Sequence, residues 1–168
     1  MTKAVEAYFR FLRLALALCL AGMVVLVFGN VVLRYAFNSG ITVSEELARL
    51  FFLYLTFLGG IVAMREHLHL GVDSMVRRLP AAGRKACFVA GHVLMLLATA
   101  LFLRGSWEQA AINLNVKMPV TGVSMAVVYG VGVVFSISVG LILLHELYRA
   151  LAGRITEAEL VAVAAEAA

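Results

Sequence analysis

The chain has 168 residues, of which 63% are hydrophobic and only 14% charged, and its mean hydropathy is +0.98. A soluble core of this size does not hide that much apolar surface, so the composition excludes a soluble globular protein and indicates an integral membrane protein. The formal net charge of +4 comes without a basic stripe interleaved with aromatic residues, which argues against nucleic acid as a partner.

Four windows of the sequence are long and apolar enough to span a membrane as helices. They are Leu14–Leu33, Thr42–Met64, Ala86–Leu103 and Val123–Leu144. We therefore predict an all-α integral membrane protein that forms a single domain over residues 1–168. Its four transmembrane helices are predicted over about 12–33, 42–65, 84–104 and 123–148, with an extension of the third to about 116.

The first predicted helix resembles a signal peptide, because Lys3, Arg10 and Arg13 precede an apolar run. That run is too long for a signal peptide and no small-residue cleavage site follows it, so we expect the helix to be retained. It ends at Arg34 and Tyr35, a cation beside an aromatic residue, which is typical of a membrane surface.

The second predicted helix is bracketed by charge at both ends. Only fifteen uncharged residues separate Arg49 from Arg65, which is about 22 Å of helix and shorter than the roughly 30 Å hydrocarbon core. The first helical turns, which carry Glu45, Glu46 and Arg49, must therefore help to span the membrane. A charge at that depth is costly unless it is paired, lies at the interface or faces protein.

Two interpretations of this charged group remain open. Thr42 and Glu45 have capping-box spacing, and Glu45 precedes Arg49 by four residues in the favourable acid-first order. The group then predicts a capped helix with an internal ion pair, its glutamates stabilised by the helix dipole. The other interpretation is that Glu45, Glu46 and Arg49 also dock a partner, because Arg49 lies below the expected membrane surface.

The segment after the second helix has an amphipathic pattern that closes at Pro80. Its apolar residues recur at helical spacing and its charged residues share the opposite face: Val72, Met75, Val76 and Leu79 against Asp73, Arg77 and Arg78. The pattern predicts a short helix over about 72–79 that lies on membrane lipids at the cytoplasmic interface, between helices 2 and 3.

Helices 3 and 4 each carry small residues four apart, a pattern that lets two membrane helices approach closely. The two sets are Gly83, Cys87 and Gly91 in helix 3 and Gly132, Ser136 and Gly140 in helix 4. Each set meets another helix either inside the chain or in a partner, and the sequence leaves both open. The tail over 156–168 is either a frayed helix or disordered.

The positive-inside rule predicts the orientation. Ten of the fourteen Lys and Arg fall on one side of the predicted membrane and four on the other. The ten are Lys3, Arg10, Arg13, Arg65, Arg77, Arg78, Arg84, Lys85, Arg149 and Arg154, and the four are Arg34, Arg49, Arg104 and Lys117. Both termini are therefore expected in the cytoplasm.

Histidines in a membrane protein raise the alternative of a membrane anchor for a redox enzyme of haem or quinone type. Bis-histidine haem needs two imidazoles on different helices at one depth, but the predicted depths of His92 and His145 differ by roughly 10 Å. His67 and His69 lie two residues apart, do not share a helical face and make a poor metal pair. We expect no metal and no cofactor.

Other chemistry is also missing from the sequence pattern. No serine, cysteine or carboxylate has a partner at a spacing that suggests nucleophilic catalysis, so we expect that the protein is not an enzyme. Cys19 and Cys87 lack CxxC spacing and are expected to be packing residues. An autonomous channel or transporter would carry ionisable residues near the bilayer centre, whereas helix 3 offers only His92, which we interpret as a core histidine. The pattern indicates an accessory or scaffold subunit.

The stretch from Arg34 to Asp73 resembles a known family, the small membrane subunit or Q component of tripartite ATP-independent periplasmic (TRAP) transporters. The matching runs are Arg34-Tyr35-Ala36-Phe37-Asn38, Ser44-Glu45-Glu46-Leu47-Ala48-Arg49, Phe57-Leu58-Gly59-Gly60, Arg65-Glu66-His67-Leu68-His69-Leu70-Gly71-Val72-Asp73 and Leu79-Pro80. Their order and spacing match over about forty residues, and the four-helix plan matches over nearly the whole chain.

The resemblance implies a function that composition does not. The chain would be the stationary scaffold of a large transmembrane subunit that imports substrate by a sodium-driven elevator mechanism. A periplasmic substrate-binding protein would deliver the substrate, which is a dicarboxylate, another organic acid or a sialic acid. The location would be a bacterial or archaeal inner membrane. Residues expected to contact partners are Arg34, Tyr35, Glu45, Glu46, Arg49, Gly132, Ser136 and Gly140.

The predicted orientation can be tested in whole cells. We expect that a cysteine introduced by Arg77→Cys reacts with a membrane-impermeant thiol reagent only when the cytoplasmic side is open, because the segment lies on the inner leaflet. Labelling of this cysteine from the periplasm would contradict both the interfacial helix and the topology.

Overall fold

The computed structural model describes residues 3–66 and 80–152, and this part of the chain is built of α-helices. The helices are α1 (Lys3–Phe37), α2 (Thr42–Arg65), α3 (Ala81–Ile112) and α4 (Met125–Leu151). Each contains a stretch long and apolar enough to cross a membrane. The prediction of an all-α membrane protein with four spanning helices is confirmed.

Two predicted segments lie outside the described residues. They are the interfacial helix over 72–79, with Val72, Asp73, Met75, Val76, Arg77, Arg78 and Leu79, and the tail over 156–168.

Two of the helices are much longer than a bilayer is thick. The 35 residues of α1 and the 32 residues of α3 correspond to about 52 Å and 48 Å, against a hydrocarbon core of roughly 30 Å. α1 begins at Lys3, well before the apolar run, and α3 continues past Arg104 to Ile112. The apolar run of α2 is short, but the whole helix has 24 residues, including the charged first turns. This length corresponds to about 36 Å.

The described residues divide into two compact units. The first contains 3–62 and 105–135, and the second contains 63–66, 80–104 and 136–152.

Two glycines of the first unit lie against phenylalanine rings, which would have to move to accommodate a side chain at either position. A Cβ added to Gly22 in α1 would lie 2.9 Å from the ring of Phe51 in α2. A Cβ added to Gly60 would lie 3.0 Å from the ring of Phe135 in α4. The Phe135 ring also meets Phe57 edge to face, with centroids 5.3 Å apart.

The turn between α1 and α2 is fixed by polar groups of α1. Asn38 has a positive φ of 50°, which asparagine tolerates better than most residues and which lets the chain reverse. The side-chain oxygen of Asn30 accepts the N–H of Ile41 at 2.7 Å. The hydroxyl of Ser44, itself only 3% exposed, donates to the carbonyl of Leu26 at 2.6 Å.

The capping box predicted from Thr42 and Glu45 is wrong for the described residues, in which these two share no hydrogen bond. The N–H of Ser44 instead bonds to the carbonyl of Ile41 at 3.0 Å. Asn30, which lies in the preceding helix, accepts the N–H of Ile41, the residue just before α2.

The second unit contains contacts between α3 and α4. Leu143 is fully buried and Val139 is 2% exposed, and a Cβ added to Gly140 would lie 3.9 Å from the methyl group of Thr99. This is ordinary van der Waals contact, so the small residue allows the two helices to lie close together.

The close approach at Gly22 gives a testable prediction. Gly22→Leu should lower the stability of the purified full-length chain by about 1–3 kcal/mol relative to Gly29→Leu, because a larger side chain at position 22 must displace Phe51. Gly29 lies on the same helix with no atom within 4 Å of an added Cβ, so both variants gain the same helix propensity. Thermal unfolding in detergent measures the difference, and equal melting temperatures would refute the close contact.

Candidate functional site

The side chain of Glu46 binds the connection between α3 and α4, 74 residues further along the chain. Its Oε2 accepts the backbone N–H groups of Val120 at 2.9 Å and of Thr121 at 3.2 Å. Its Oε1 accepts the hydroxyl of Thr121 at 3.0 Å. One half-buried carboxylate thus accepts three hydrogen bonds, and bonds to a charged acceptor are stronger than those between neutral groups. We call this contact the Glu46 clamp.

The segment held by the Glu46 clamp is a tight hairpin. Backbone bonds join Met118 N–H to Val123 C=O and Met125 N–H to Val116 C=O, each at 2.8 Å. Gly122 closes the tip with a φ of 69°, a left-handed conformation that glycine adopts without strain. The N–H groups of Val120 and Thr121 are left at the tip, and Glu46 accepts both of them.

Four other residues that the sequence predicts to contact partners lie at the end of α1 and the start of α2. Arg34, Tyr35, Glu45 and Arg49 are all exposed. Glu45 lines two clefts, of about 320 Å³ and about 290 Å³. The larger cleft is lined by Thr42, Glu45, Glu46, Arg49, Leu50, Leu53, Met118, Pro119, Val120, Met125 and Val128. The smaller one is lined by Val27, Asn30, Val31, Arg34, Tyr35, Ser44 and Glu45. We call the five residues Arg34, Tyr35, Glu45, Glu46 and Arg49 the charged end.

The predicted ion pair between Glu45 and Arg49 is wrong for the described residues. Neither side chain makes an ion pair or hydrogen bond in residues 3–66 and 80–152. Pairing of exposed side chains on a helix gains only about 0.3–0.5 kcal/mol, which is too little to hold both side chains in one geometry. Arg49 therefore presents its charge in the larger cleft, beside Leu50 and Leu53.

A second polar contact, in the second unit, joins His92 in α3 to Glu146 in α4. Nε2 of His92 lies 3.0 Å from a carboxylate oxygen of Glu146, and the two side chains are 10% and 15% exposed. Nδ1 lies 3.0 Å from the carbonyl of Phe88, and the Phe88 ring stacks on the imidazole at 4.0 Å between centroids. Because both ring nitrogens are engaged, the geometry does not favour His92 as a haem ligand.

The small residues of α4 have different environments. Ser136 is only 1% exposed and Gly132 is also buried, so this chain itself already covers them. Gly140 is partly exposed and lies against Thr99. In the described part of the chain no group of three or more His, Cys, Asp or Glu side chains is arranged to hold a metal ion.

Three functional contacts were missed by sequence reasoning. The tip residues Val120 and Thr121 have no motif that marks them as ligands of a carboxylate. Glu146 lies one turn from the end of α4 and looks like an ordinary terminal charge, although it is the partner of His92. Asn30 does carry a signal, since an amide inside a membrane helix needs a hydrogen-bond partner.

The fold and these contacts define a multi-pass α-helical membrane protein whose polar groups hold its own helices and loops together. Residues 23–153 match the profile of the family described as tripartite ATP-independent periplasmic transporters, DctQ component. A TRAP transporter small permease protein of Haemophilus influenzae is 41% identical over 128 residues, which are 76% of this chain and 80% of the relative.

Two further relatives match over shorter regions. The C4-dicarboxylate TRAP transporter small permease protein DctQ of Vibrio cholerae is 32% identical over 55% of this chain and 40% of its own length. The sialic acid TRAP transporter permease protein SiaT of Haemophilus influenzae is 37% identical over 42% of this chain and 11% of its own length.

The chain belongs to the DctQ family of small permease subunits of TRAP transporters. It is a transport protein of the bacterial inner membrane, which it crosses with several helices. The family is one of transporter subunits rather than of enzymes, and the redox-anchor alternative is not favoured.

The Glu46 clamp gives a prediction with a neighbouring control. Glu46→Gln should lower the free energy of unfolding by about 1–3 kcal/mol, because the amide has one acceptor oxygen and its NH₂ group faces the N–H donors at the hairpin tip. Hydrogen exchange at Val120 and Thr121 should become faster. Glu45→Gln, at an exposed side chain, should stay within about 0.5 kcal/mol of wild type. Equal effects at the two positions would refute the assignment.

Proposed function

We propose that the chain is the stationary scaffold of a sodium-coupled, binding-protein-dependent importer of organic acids, and that its charged end docks the partner proteins. The partners are a large transmembrane transport subunit and a periplasmic substrate-binding protein, which are the other components that TRAP transporters contain. The proposal includes a single membrane domain with both termini in the cytoplasm, as the positive-inside rule predicts, and the charged end would then lie at the periplasmic surface.

The observation that carries the docking proposal is the environment of Arg49. Its side chain is exposed in a cleft that is lined mostly by apolar residues but also by Glu45 and Glu46, and no ion pair or hydrogen bond reaches it from residues 3–66 or 80–152. An unpaired charge in the first turns of a membrane-spanning helix has a cost, which is smaller than the roughly 2.5–3.5 kcal/mol of a charge at the bilayer centre. An acidic or carbonyl group of the large subunit in this cleft removes that cost.

Glu45, Arg34 and Tyr35 extend the same docking surface towards α1, because Glu45 lines the cleft on each side. Glu46 supports the surface from within, since its carboxylate is occupied by the hairpin. Gly132 and Ser136 pack inside the chain, and Gly140 lies against Thr99, so the docking proposal concentrates on the charged end.

The substrate class rests on the family and on the named relatives. One relative is named for C4-dicarboxylates and another for sialic acid, both of which are organic acids. In the described residues the chain has no buried cluster of charges that would bind such an anion. The substrate site and the sodium sites are therefore assigned to the large subunit, with this chain holding that subunit in place.

Docking is tested by co-expressing the chain with the large subunit and the binding protein of the same organism. Arg49→Gln should reduce co-purification of the large subunit and sodium-driven uptake of organic acid about tenfold, as expected when a desolvated charge pair loses one partner. Lys85→Gln, an exposed cation at the start of α3, should leave both unchanged.

Normal assembly and uptake with Arg49→Gln and with Glu45→Gln would refute docking at the charged end. Uptake that proceeds without this chain would refute the scaffold role. A Soret band in the visible spectrum of the purified chain would instead favour a redox anchor.

A further inference from the structure

α3 and α4 of the second unit touch at two levels that differ in chemistry. At one level the methyl group of Thr99 lies 3.9 Å from the position of a Cβ on Gly140. At the other level Nε2 of His92 lies 3.0 Å from the carboxylate of Glu146. Leu143 lies between the two levels on α4 and is fully buried. The first level is a steric contact, and the second is a directional polar one.

The spacing of the two levels shows that they belong to one antiparallel register. His92 and Thr99 are two turns apart on α3, about 10 Å along the axis, and Gly140 and Glu146 are about 9 Å apart on α4. The lower-numbered residue of α3 meets the higher-numbered residue of α4, as antiparallel helices require. A shift by one helical turn, about 5.4 Å, would separate both pairs.

The contact between His92 and Glu146 restricts the register of α3 against α4 more than the contact between Thr99 and Gly140 does. The buried residues Val139 and Leu143 near this level of α4 are apolar, and an apolar group of similar volume replaces another at a cost usually below about 1.5 kcal/mol. By contrast, Nδ1 of His92 is held by the carbonyl of Phe88, which only accepts, so Nδ1 carries a proton. One proton is then shared between Nε2 and the carboxylate of Glu146. This hydrogen bond forms only when the carboxylate lies within bonding distance of Nε2.

We propose that His92 and Glu146 are a positioning pair that sets the register of α3 against α4. In another register the imidazole and the carboxylate would each lose this partner inside the membrane, where no water replaces it. A buried polar group that selects one helix register over its neighbours is the best established use of such pairs. The pair therefore determines which arrangement forms, whereas the apolar contacts supply most of the packing energy.

Cysteine cross-linking in membranes of cells that express the full-length chain tests this proposal. Cys19 and Cys87 are first replaced by alanine. Three reporters then share Gly140→Cys and carry the second cysteine at the native level or one turn away: Thr99→Cys, Met95→Cys and Leu103→Cys. With the pair intact, the Thr99 reporter should form disulfide about five- to thirtyfold faster than the other two, the ratio expected when one hydrogen-bonded contact selects a register.

The double replacement His92→Leu/Glu146→Leu should keep the chain in the membrane but make the three reporters react at similar rates. His92→Phe/Glu146→Met is a second apolar replacement, used if the first variant does not accumulate in the membrane. It should likewise make the three reporters form disulfides at similar rates. The exchanged pair His92→Glu/Glu146→His should restore preference for the Thr99 reporter. An unchanged preference in the apolar variants would overturn the proposal, and so would an exchanged pair that behaves like them.

Discussion

The carboxylate of Glu46 satisfies two backbone N–H groups and one hydroxyl at the tip of the hairpin between α3 and α4. A hairpin this short, closed by Pro119 and Gly122, cannot pair the amides at its own tip. Unsatisfied amides next to a membrane are costly, and the fixed position of α2 supplies their acceptor. The wall of the larger cleft depends on this contact, because Met118, Pro119 and Val120 line it.

Because Glu46 binds the hairpin, the neighbouring residues Glu45 and Glu46 have different environments. Glu45 and Glu46 are adjacent in sequence and chemically equivalent, but successive residues on a helix point about 100° apart. Glu46 consequently faces the hairpin, while Glu45 faces the two clefts. One glutamate is used within the chain and the other remains exposed beside Arg49. Two adjacent acidic residues can thus differ in role, with one bonded inside the chain and the other exposed.

The sequence predicted the features that depend on local composition. The four spanning helices follow from apolar runs, and the family follows from the motif between Arg34 and Asp73, which the comparison with relatives confirms. Contacts between distant residues were not predictable, because neither periodicity nor spacing encodes how neighbouring helices are staggered. The contact between His92 in α3 and Glu146 in α4 is one example, since the two residues lie 54 positions apart and no motif links them. The hydrogen bond between Asn30 and Ile41 was not predictable for the same reason, because the distance between these residues depends on the turn at Asn38.

The spanning stretch of α1 has the highest mean hydropathy of the four, 2.6, and none of its most apolar window is buried inside the chain. Its free energy of transfer from water to lipid therefore depends little on the helices that follow it. α1 precedes α2 in the chain and is therefore synthesised before it, and its apolar surface is compatible with lipid before α2 is present. α2 then enters beside a helix that already offers Leu26 and Asn30 as hydrogen-bond acceptors for Ser44 and Ile41. The order in which the chain is made thus matches the order in which its polar groups find partners.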